Sequence, residues 1–339
     1  MAAIFVPPSG HACIIERYTS QPLRALGIEV AAVPEAADVI VAALAEELGP
    51  YVHRFDAAKR YLIWCDEPLW SCSFQLLDKA QLKVANPTSP EPALNIPVDV
   101  MNCFTGDVYF SNHHFFTPGY HIDLAELQRV DEREPFSDSL PAAARQIACF
   151  VTYRNAARWN FTHPCGIRGL NNLRTRVALE GKVLGKVDIF GQGWPAGFAS
   201  GEDRFGNAGS DPFRLKMERY RNYHFALCFE NTWAPYYVTE KIWQAILSGC
   251  LPIYYAGPQH SIYQEFPRNS FLDYHDYADP VELFEHIDRM TAAEHRERMA
   301  ACLETLRNAL LRSDEGRTAV DLQLRAFAAR VHNIARNRG

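Results

Sequence analysis

Apolar residues in this chain fall into short runs of strand length, separated by stretches with helical spacing or turn chemistry. In the first half Ala2–Val6, a stretch within Leu23–Val33, Asp38–Val41 and Arg60–Cys65 read as strands, and Ala37–Leu48 turns helical after its strand-like opening. In the second half Ile147–Val151, Lys186–Phe190, Phe225–Phe229 and Leu251–Tyr255 do the same. Such runs alternating with helical patterns predict βαβ units and parallel sheets. The clearest unit lies between Phe225 and Gly257. After its first strand, Trp233, Pro235, Tyr236 and Tyr237 make a loop. Thr239 is a predicted N-cap, with Glu240 and Lys241 in the first turn. Ile242, Ala245, Ile246 and Gly249 follow at i, i+3, i+4, i+7, and Gly249 suits a left-handed cap before the second strand.

Further helices are predicted over Asp211–Tyr223, with Asp211 capping, Pro212 at the first position and Phe213, Met217 and Tyr220 on one face. Another starts at Asp279–Pro280 with Val281, Phe284, Ile287 and Met290 inward, and one covers 293–311. The last begins near Gly316. Its stripe of Val320, Leu324, Phe327, Val331 and Ile334 either packs on the body or, with Arg317, Arg325, Arg330, Arg336 and Arg338, rests on an anionic membrane surface. Residues 128–145 are charged and carry Pro135 and Pro141, which makes them the candidate linker. The expected domains are 1–140, 141–315 and a basic amphipathic helix at 316–339.

The chain has 339 residues and a net charge of −6. With no basic run, nucleic acid is not an expected partner. No apolar stretch reaches the roughly 18 residues that span a bilayer. Pro7 and Pro8 break the first apolar run, and no basic region precedes it, so no signal peptide is expected. Nine cysteines are scattered without a CxxC pair, which predicts buried thiols such as Cys149, Cys228 and Cys250 rather than a metal site. His113 and His114 are adjacent and on a strand would face opposite sides. Gly191 and Gly193 start a GxGxxG pattern that Pro195 and the late Gly197 spoil, so a dinucleotide fold is rejected.

Ligands of parallel sheets bind outside the carboxyl ends of the strands. In the 225–257 unit that place holds Glu230, Asn231, Tyr237, Glu240 and Lys241. A helix N-terminus there offers free N–H groups and a positive dipole end, which suits phosphate. Thr-Glu-Lys alone is an ordinary solvated first turn; two carboxylates, an amide, a lysine and aromatics together point to a ligand. Arg154 and Arg158 follow the Ile147–Val151 strand, and a guanidinium fork grips phosphate oxygens in pairs. RYLIWC delivers Asp66, Glu67 and Pro68 to its own end. A carboxylate beside Trp64, Leu69 and Trp70 can have a raised pKa and act as a general base.

The stretch FENTWAPYYVTEKIWQAILSGCLPIYY is similar to the donor-binding signature of the α1,3-fucosyltransferases, glycosyltransferase family 10. That pattern is FEN-S/T, an aromatic loop, YVTEK, a helix and a proline-led strand. The likeness continues through Ser270-Phe271 to His275-Asp276-Tyr277, with Ala256 where relatives often have glycine. The resemblance implies an α/β GT-B fold, with two Rossmann-like domains facing a cleft, acceptor on the first and GDP-fucose on the second. It implies inverting transfer of L-fucose from GDP-fucose to an N-acetylglucosamine-containing glycan, in α1,3-type linkage. Glu67 would be the base, with Asp66 its alternate. Arg158, in Arg158-Trp-Asn-Phe161, with Arg154 as rival, would neutralise the diphosphate together with Lys241 and the helix start at Thr239. Asn231 and Glu240 would hold sugar hydroxyls and Tyr237 would pack on the nucleotide-sugar. Asn102 and Asp107 loosely match the family's acceptor segment. No DxD motif is present, so no tightly bound metal is expected and Mn²⁺ at most stimulates. A bacterial-type enzyme of glycan or lipopolysaccharide assembly follows, cytoplasmic and peripheral at the inner membrane. The rivals are a GT-B transferase of another sugar nucleotide and a silent glycan-binding protein.

Overall fold

In a computed structural model of the chain, the residues described are 1–8, 20–55, 58–65, 81–84, 93–102, 128–130, 136–140, 146–162, 166–201, 212–235, 237–311 and 313–336. They fall into two compact units, Met1–Phe110 with Asp314–Gly339, and Ser111–Ser313. Asp66, Glu67, Asp107, His113, His114 and Tyr236 lie outside the described residues.

The first unit carries strands β1 (Ala2–Phe5), β2 (Ile28–Val30), β3 (Val39–Ala42), β4 (Arg60–Cys65), β5 (Gln81–Val84), β6 (Leu94–Pro97) and β7 (Asp99–Asn102), with helices α1 (Ser20–Ala25) and α2 (Gly49–Phe55). Five strands form a parallel sheet in the order β2-β1-β3-β4-β7, while β5 pairs with β6 antiparallel. Val39, Ile40, Val41, Leu62, Ile63 and Trp64 are fully buried. Strands covered on both faces read as continuous apolar runs, which is why RYLIWC was legible at its full length.

The second unit holds β8 (Ile147–Phe150), β9 (Arg168–Gly169), α3 (Asn171–Val183), β10 (Val187–Phe190), β11 (Ala199–Gly201), α4 (Pro212–Tyr220), β12 (Phe225–Leu227), β13 (Thr232–Trp233), α5 (Glu240–Leu247), β14 (Leu251–Tyr254), β15 (Leu272–Asp273), α6 (Pro280–Arg289) and α7 (Ala292–Leu311). Six strands run parallel in the order β11-β10-β8-β12-β14-β15. Side chains alternate across the sheet. Ile147, Cys149, Phe225 and Leu227 pack with Val177, Leu283 and Ile287 on one face. Ala148, Ala226 and Cys228 pack with Ile242, Ala245 and Ile246 on the other. The expected cap at Gly249 forms, with φ 72° and Cys250 N–H donating to Ala245 O at 2.9 Å. Gly191 has φ 126°, and a Cβ there would lie 2.3 Å from the Val151 carbonyl oxygen. The chain then turns to β11 rather than into a helix, in keeping with the rejected dinucleotide pattern.

Several expectations need correction. Val281 is 46% exposed, and Leu283 is buried in its place. Asp279 caps α6 by accepting from Glu282 N–H at 3.0 Å, so the inward stripe is Pro280, Leu283, Phe284 and Ile287. Phe136, inside the expected linker, belongs to the second unit's core, stacked on His295 at 4.7 Å. The final helix, α8 (Ser313–Arg336), is grouped with the first unit instead of standing apart. Its Leu324, Phe327, Val331 and Ile334 are buried, and Phe327 stacks on Trp64 with centroids 3.9 Å apart. His332 Nε2 meets Leu26 O at 3.1 Å, and Arg330 pairs with Asp99 at 3.5 Å. The apolar stripe is therefore consumed in packing. Among the described residues no helix is long and apolar enough to cross a membrane.

Candidate functional site

At the carboxyl end of β12 the chain leaves the sheet at Glu230, whose side chain is buried. Its carboxylate reaches the start of α5. Thr239 N–H donates to Glu230 Oε1 at 2.7 Å and Thr239 Oγ1 donates to Oε2 at 2.6 Å. Tyr254 OH, from β14, donates to Oε1 at 3.2 Å. The expected N-cap at Thr239 is thus reversed: its hydroxyl donates to Glu230 and makes no cap bond to the helix. A buried glutamate from the preceding strand supplies the anion that the helix dipole favours.

Lys241 closes the cluster. Its Nζ lies 3.0 Å from Glu230 Oε2, 3.3 Å from Glu240 Oε1 and 2.6 Å from Thr239 Oγ1. Burial pulls the ammonium down, but the charges of Glu230 and Glu240 outweigh it, so Lys241 is held protonated above the usual lysine range. Both carboxylates pair with it. The charge expected at the helix start is therefore present as an ion-paired ammonium.

The loop beyond Glu230 is stitched to the start of α3. Trp233 pairs with Arg168 across β13 and β9, and Leu170 N–H donates to Asn231 O at 2.9 Å. The Arg168 guanidinium lies over two rings, 4.8 Å from Trp233 and 5.3 Å from Tyr255. Trp233 Nε1 donates to Ala256 O at 2.5 Å, and the Ala256 and Gly257 N–H groups donate to the buried Asp273 carboxylate at 2.9 and 2.7 Å. The clamp on Arg168 is therefore anchored from β15. Among the described residues, Asn231 Oδ1, Arg168 Nε, Asn171 Nδ2 and Asn172 Oδ1 are buried in this region without a hydrogen-bond partner. Buried polar groups are ordinarily satisfied, and such a concentration is what a polar ligand would resolve. Arg174, buried in the first turn of α3, donates to Asn171 Oδ1.

Of the predicted residues, the structure brings together Glu230, Thr239, Glu240 and Lys241, with Asn231 beside them. Tyr237 is 2% exposed, and its carbonyl oxygen accepts from Tyr254 OH at 3.4 Å. Arg154 and Arg158 follow β8, the strand next to β12, with guanidinium carbons 4.6 and 4.8 Å from the Trp159 ring. Arg158 is exposed on the short turn Ala157–Trp159. Arg168 and Arg174 had no sequence signal beyond a basic residue in a turn or a helix. The signal that could have found Arg168 was its place in a short segment ahead of a helix, between two strands already recognised. Among the described residues, no group of three or more His, Cys, Asp or Glu side chains converges as metal ligands would.

With this geometry in hand, comparison with known proteins bears directly on the second unit. The model of the family Glycosyltransferase family 10 (fucosyltransferase) C-term matches residues 170–299. The Alpha-(1,3)-fucosyltransferase FucT of Helicobacter pylori is 42% identical over 72 residues, 21% of this chain and 15% of that protein. The 4-galactosyl-N-acetylglucosaminide 3-alpha-L-fucosyltransferase FUT6 of Homo sapiens is 33% identical over 123 residues, 36% of this chain and 30% of that protein. The matched stretches thus span under a third of these relatives' length. Among solved structures, an alpha1,3-fucosyltransferase with GDP-fucose aligns with TM-score 0.41 and 15% identity over 91% of this chain and 90% of that one. T4 phage beta-glucosyltransferase aligns with TM-score 0.48 and 11% identity over 95% and 98%. The matched segment begins at Leu170, beside the Arg168 clamp, and contains every residue of the Glu230–Lys241 cluster. Over residues 170–299 this chain is therefore similar to the C-terminal domain of glycosyltransferase family 10 (fucosyltransferase) proteins.

Proposed function

We propose that this protein is an inverting fucosyltransferase that moves L-fucose from GDP-fucose to a hydroxyl of an N-acetylglucosamine-containing glycan, in α1,3-type linkage. The observation that carries the reading is the Glu230–Lys241 cluster, which sits at one strand end inside the family-matched segment. The chemistry asks little of the protein. An acceptor hydroxyl attacks the anomeric carbon, loses its proton to a base, and expels GDP with negative charge growing on the diphosphate. Cations and N–H groups fixed beforehand around that charge lower the barrier, each by on the order of 2–4 kcal/mol.

In this reading Arg168, clamped between Trp233 and Tyr255, takes phosphate oxygens through its guanidinium fork. Arg158 and Arg154 are the sequence-derived rivals for that role. Glu240 and the unsatisfied Asn231 Oδ1 accept from sugar or ribose hydroxyls, Tyr237 flanks the nucleotide-sugar, and the Glu230–Lys241 pair holds the helix start in place. Glu67, with Asp66 as alternate, remains the proposed base. Mn²⁺ enters as a stimulant rather than a resident ion. The proposed setting is cytoplasmic. Peripheral contact with an anionic membrane would rest on α8 arginines such as Arg325 and Arg336, since the apolar stripe is buried.

Calorimetric titration with GDP-fucose, GDP-mannose, UDP-galactose and free GDP tests the donor. Selective binding of GDP and GDP-fucose supports the reading. Binding of a uridine nucleotide in their place would replace it with another sugar-nucleotide transferase, and no nucleotide binding at all would leave the silent glycan-binding protein.

A further inference from the structure

Helix α3 begins without a cap of its own. Its N-cap position is Leu170, whose side chain offers no oxygen to the first N–H groups, so they are left to an acceptor from outside the helix. The start of α5 is different. Thr239 N–H there already donates to the Glu230 carboxylate at 2.7 Å, and Glu240 stands in the first turn. An incoming anion would meet carboxylates at α5, whereas the first turn of α3 has no acidic residue. Asn171, the first residue of α3, is fully buried. Its Oδ1 accepts from Arg174, which fixes which end of the amide is oxygen, and its Nδ2 has no partner among the described residues. Leu170 N–H donates to Asn231 O at 2.9 Å, and Gly169 and Arg168 pair with Thr232 and Trp233. The helix start is thereby tied to the loop on which the Arg168 guanidinium rests, 4.8 Å from the Trp233 ring. The turn carrying Arg158 packs on the same segment: Gly169 N–H donates to Phe161 O at 2.9 Å, and a Cβ on Gly169 would lie 2.3 Å from Trp159 O. The unmet atoms are of two kinds. Arg168 Nε and Asn171 Nδ2 are donors, while Asn231 Oδ1 and Asn172 Oδ1 are acceptors. A ligand that meets both kinds must carry acceptor oxygens beside hydroxyls, as a sugar diphosphate does.

Resting on the donor reading above, we propose that the start of α3 receives the donor's diphosphate, with Asn171 Nδ2 donating to a phosphate oxygen beside the Arg168 guanidinium. The site then combines a full cation, a neutral amide donor and the free N–H groups of a helix N-terminus, each of which suits phosphate. Asn231 Oδ1 keeps its part as an acceptor for a hydroxyl.

The test is calorimetric titration of the full-length protein with GDP and, by competition, with guanosine, which lacks the phosphates. Wild type, Asn171→Asp and Asn171→Ala are compared. Asn171→Asp keeps the shape and gives Arg174 a charged partner, and an anion in the first turn favours a helix. Its stability in urea should therefore match or exceed that of the wild type. Its GDP affinity should fall about 10- to 100-fold, because a donor becomes an anion facing phosphate, while guanosine affinity stays within about 2-fold. A purely structural role would not lower GDP affinity without lowering stability. Asn171→Ala should weaken GDP binding about 10-fold with the same indifference to guanosine. A GDP-to-guanosine affinity ratio equal to the wild type's in either folded variant would overturn the assignment. Absence of GDP binding to the wild type would instead remove the donor reading, and this assignment with it.

Discussion

Lys241 and Glu230 are partners across the loop they bound: Nζ stands 3.0 Å from a carboxylate oxygen that also accepts the Thr239 hydroxyl. The two ends of the FEN…TEK signature are thus one buried ionic unit, and the loop between them is held closed by it. Breaking such a pair from one side leaves an uncompensated buried charge. Glu230→Gln and Lys241→Met should each destabilise the protein by about 3 kcal/mol in urea denaturation. The double variant should cost clearly less than the sum of the two. Strict additivity would show that the pair is not coupled.

Arg168 and Arg158 compete for one role. Arg168→Ala should weaken GDP binding about 10- to 100-fold, since it removes a charge-assisted fork, whereas Arg158→Ala, exposed on its turn, should change affinity less than about 3-fold. Isothermal titration of both variants decides the matter, and the reverse ranking would return the role to Arg158.

His260 is buried at 4% exposure, with Nδ1 accepting from Ile262 N–H at 3.1 Å. Burial lowers it to about 4, only partly offset by Glu230, the Tyr237 backbone and Asp273. Its folded value lies below that of an unfolded histidine, so the unfolded chain binds more protons between those values. The neutral ring's contribution is complete above about pH 6.5 and is lost as pH falls toward 4, by on the order of 3 kcal/mol at most. Thermal melts across that window should steepen in the wild type and flatten in His260→Asn.

Glu67→Ala should abolish fucosyl transfer while leaving GDP affinity within about 2-fold, because a base acts on the acceptor proton and not on the nucleotide. Transfer assays beside calorimetry separate the two. Retained transfer would move the role to Asp66.

How far the sequence could be read depended on what each buried face was made of. The strands were legible because parallel strands covered on both faces are almost wholly apolar, as in Val39–Val41 and Leu62–Trp64. Helix α5 was legible from Ile242, Ala245 and Ile246 and from Gly249 at its cap. Helix α3 was not, because its buried side includes Asn171, Arg174, Thr175 and Gly181 beside Val177 and Ala178. At Gly181 a Cβ would lie 2.2 Å from Val187 Cγ2, so close packing there demands a residue that carries no hydrophobic signal. Likewise, Glu230 and Lys241 were recognisable as signature residues, but their pairing was not. Sequence spacing shows which groups share a strand end and not which of them neutralise one another. Arg168 went unmarked for the same reason: it sits in a two-residue strand, and only the fold brings its guanidinium over Trp233 and Tyr255.

The stacking of Phe327 on Trp64 has a consequence for how the molecule is made. The first unit is interrupted in sequence: its sheet is complete by Asn102, yet the helix covering Trp64 comes only after the second unit has been synthesised. Domains generally fold in the order in which they leave the ribosome. Here that order is inverted, for the second unit is whole before the first can close its core. During that interval the nascent first unit would carry an exposed indole face for which Phe327 is the eventual cover. A chain released short of α8 would keep that face, making it a ready substrate for chaperones or for aggregation.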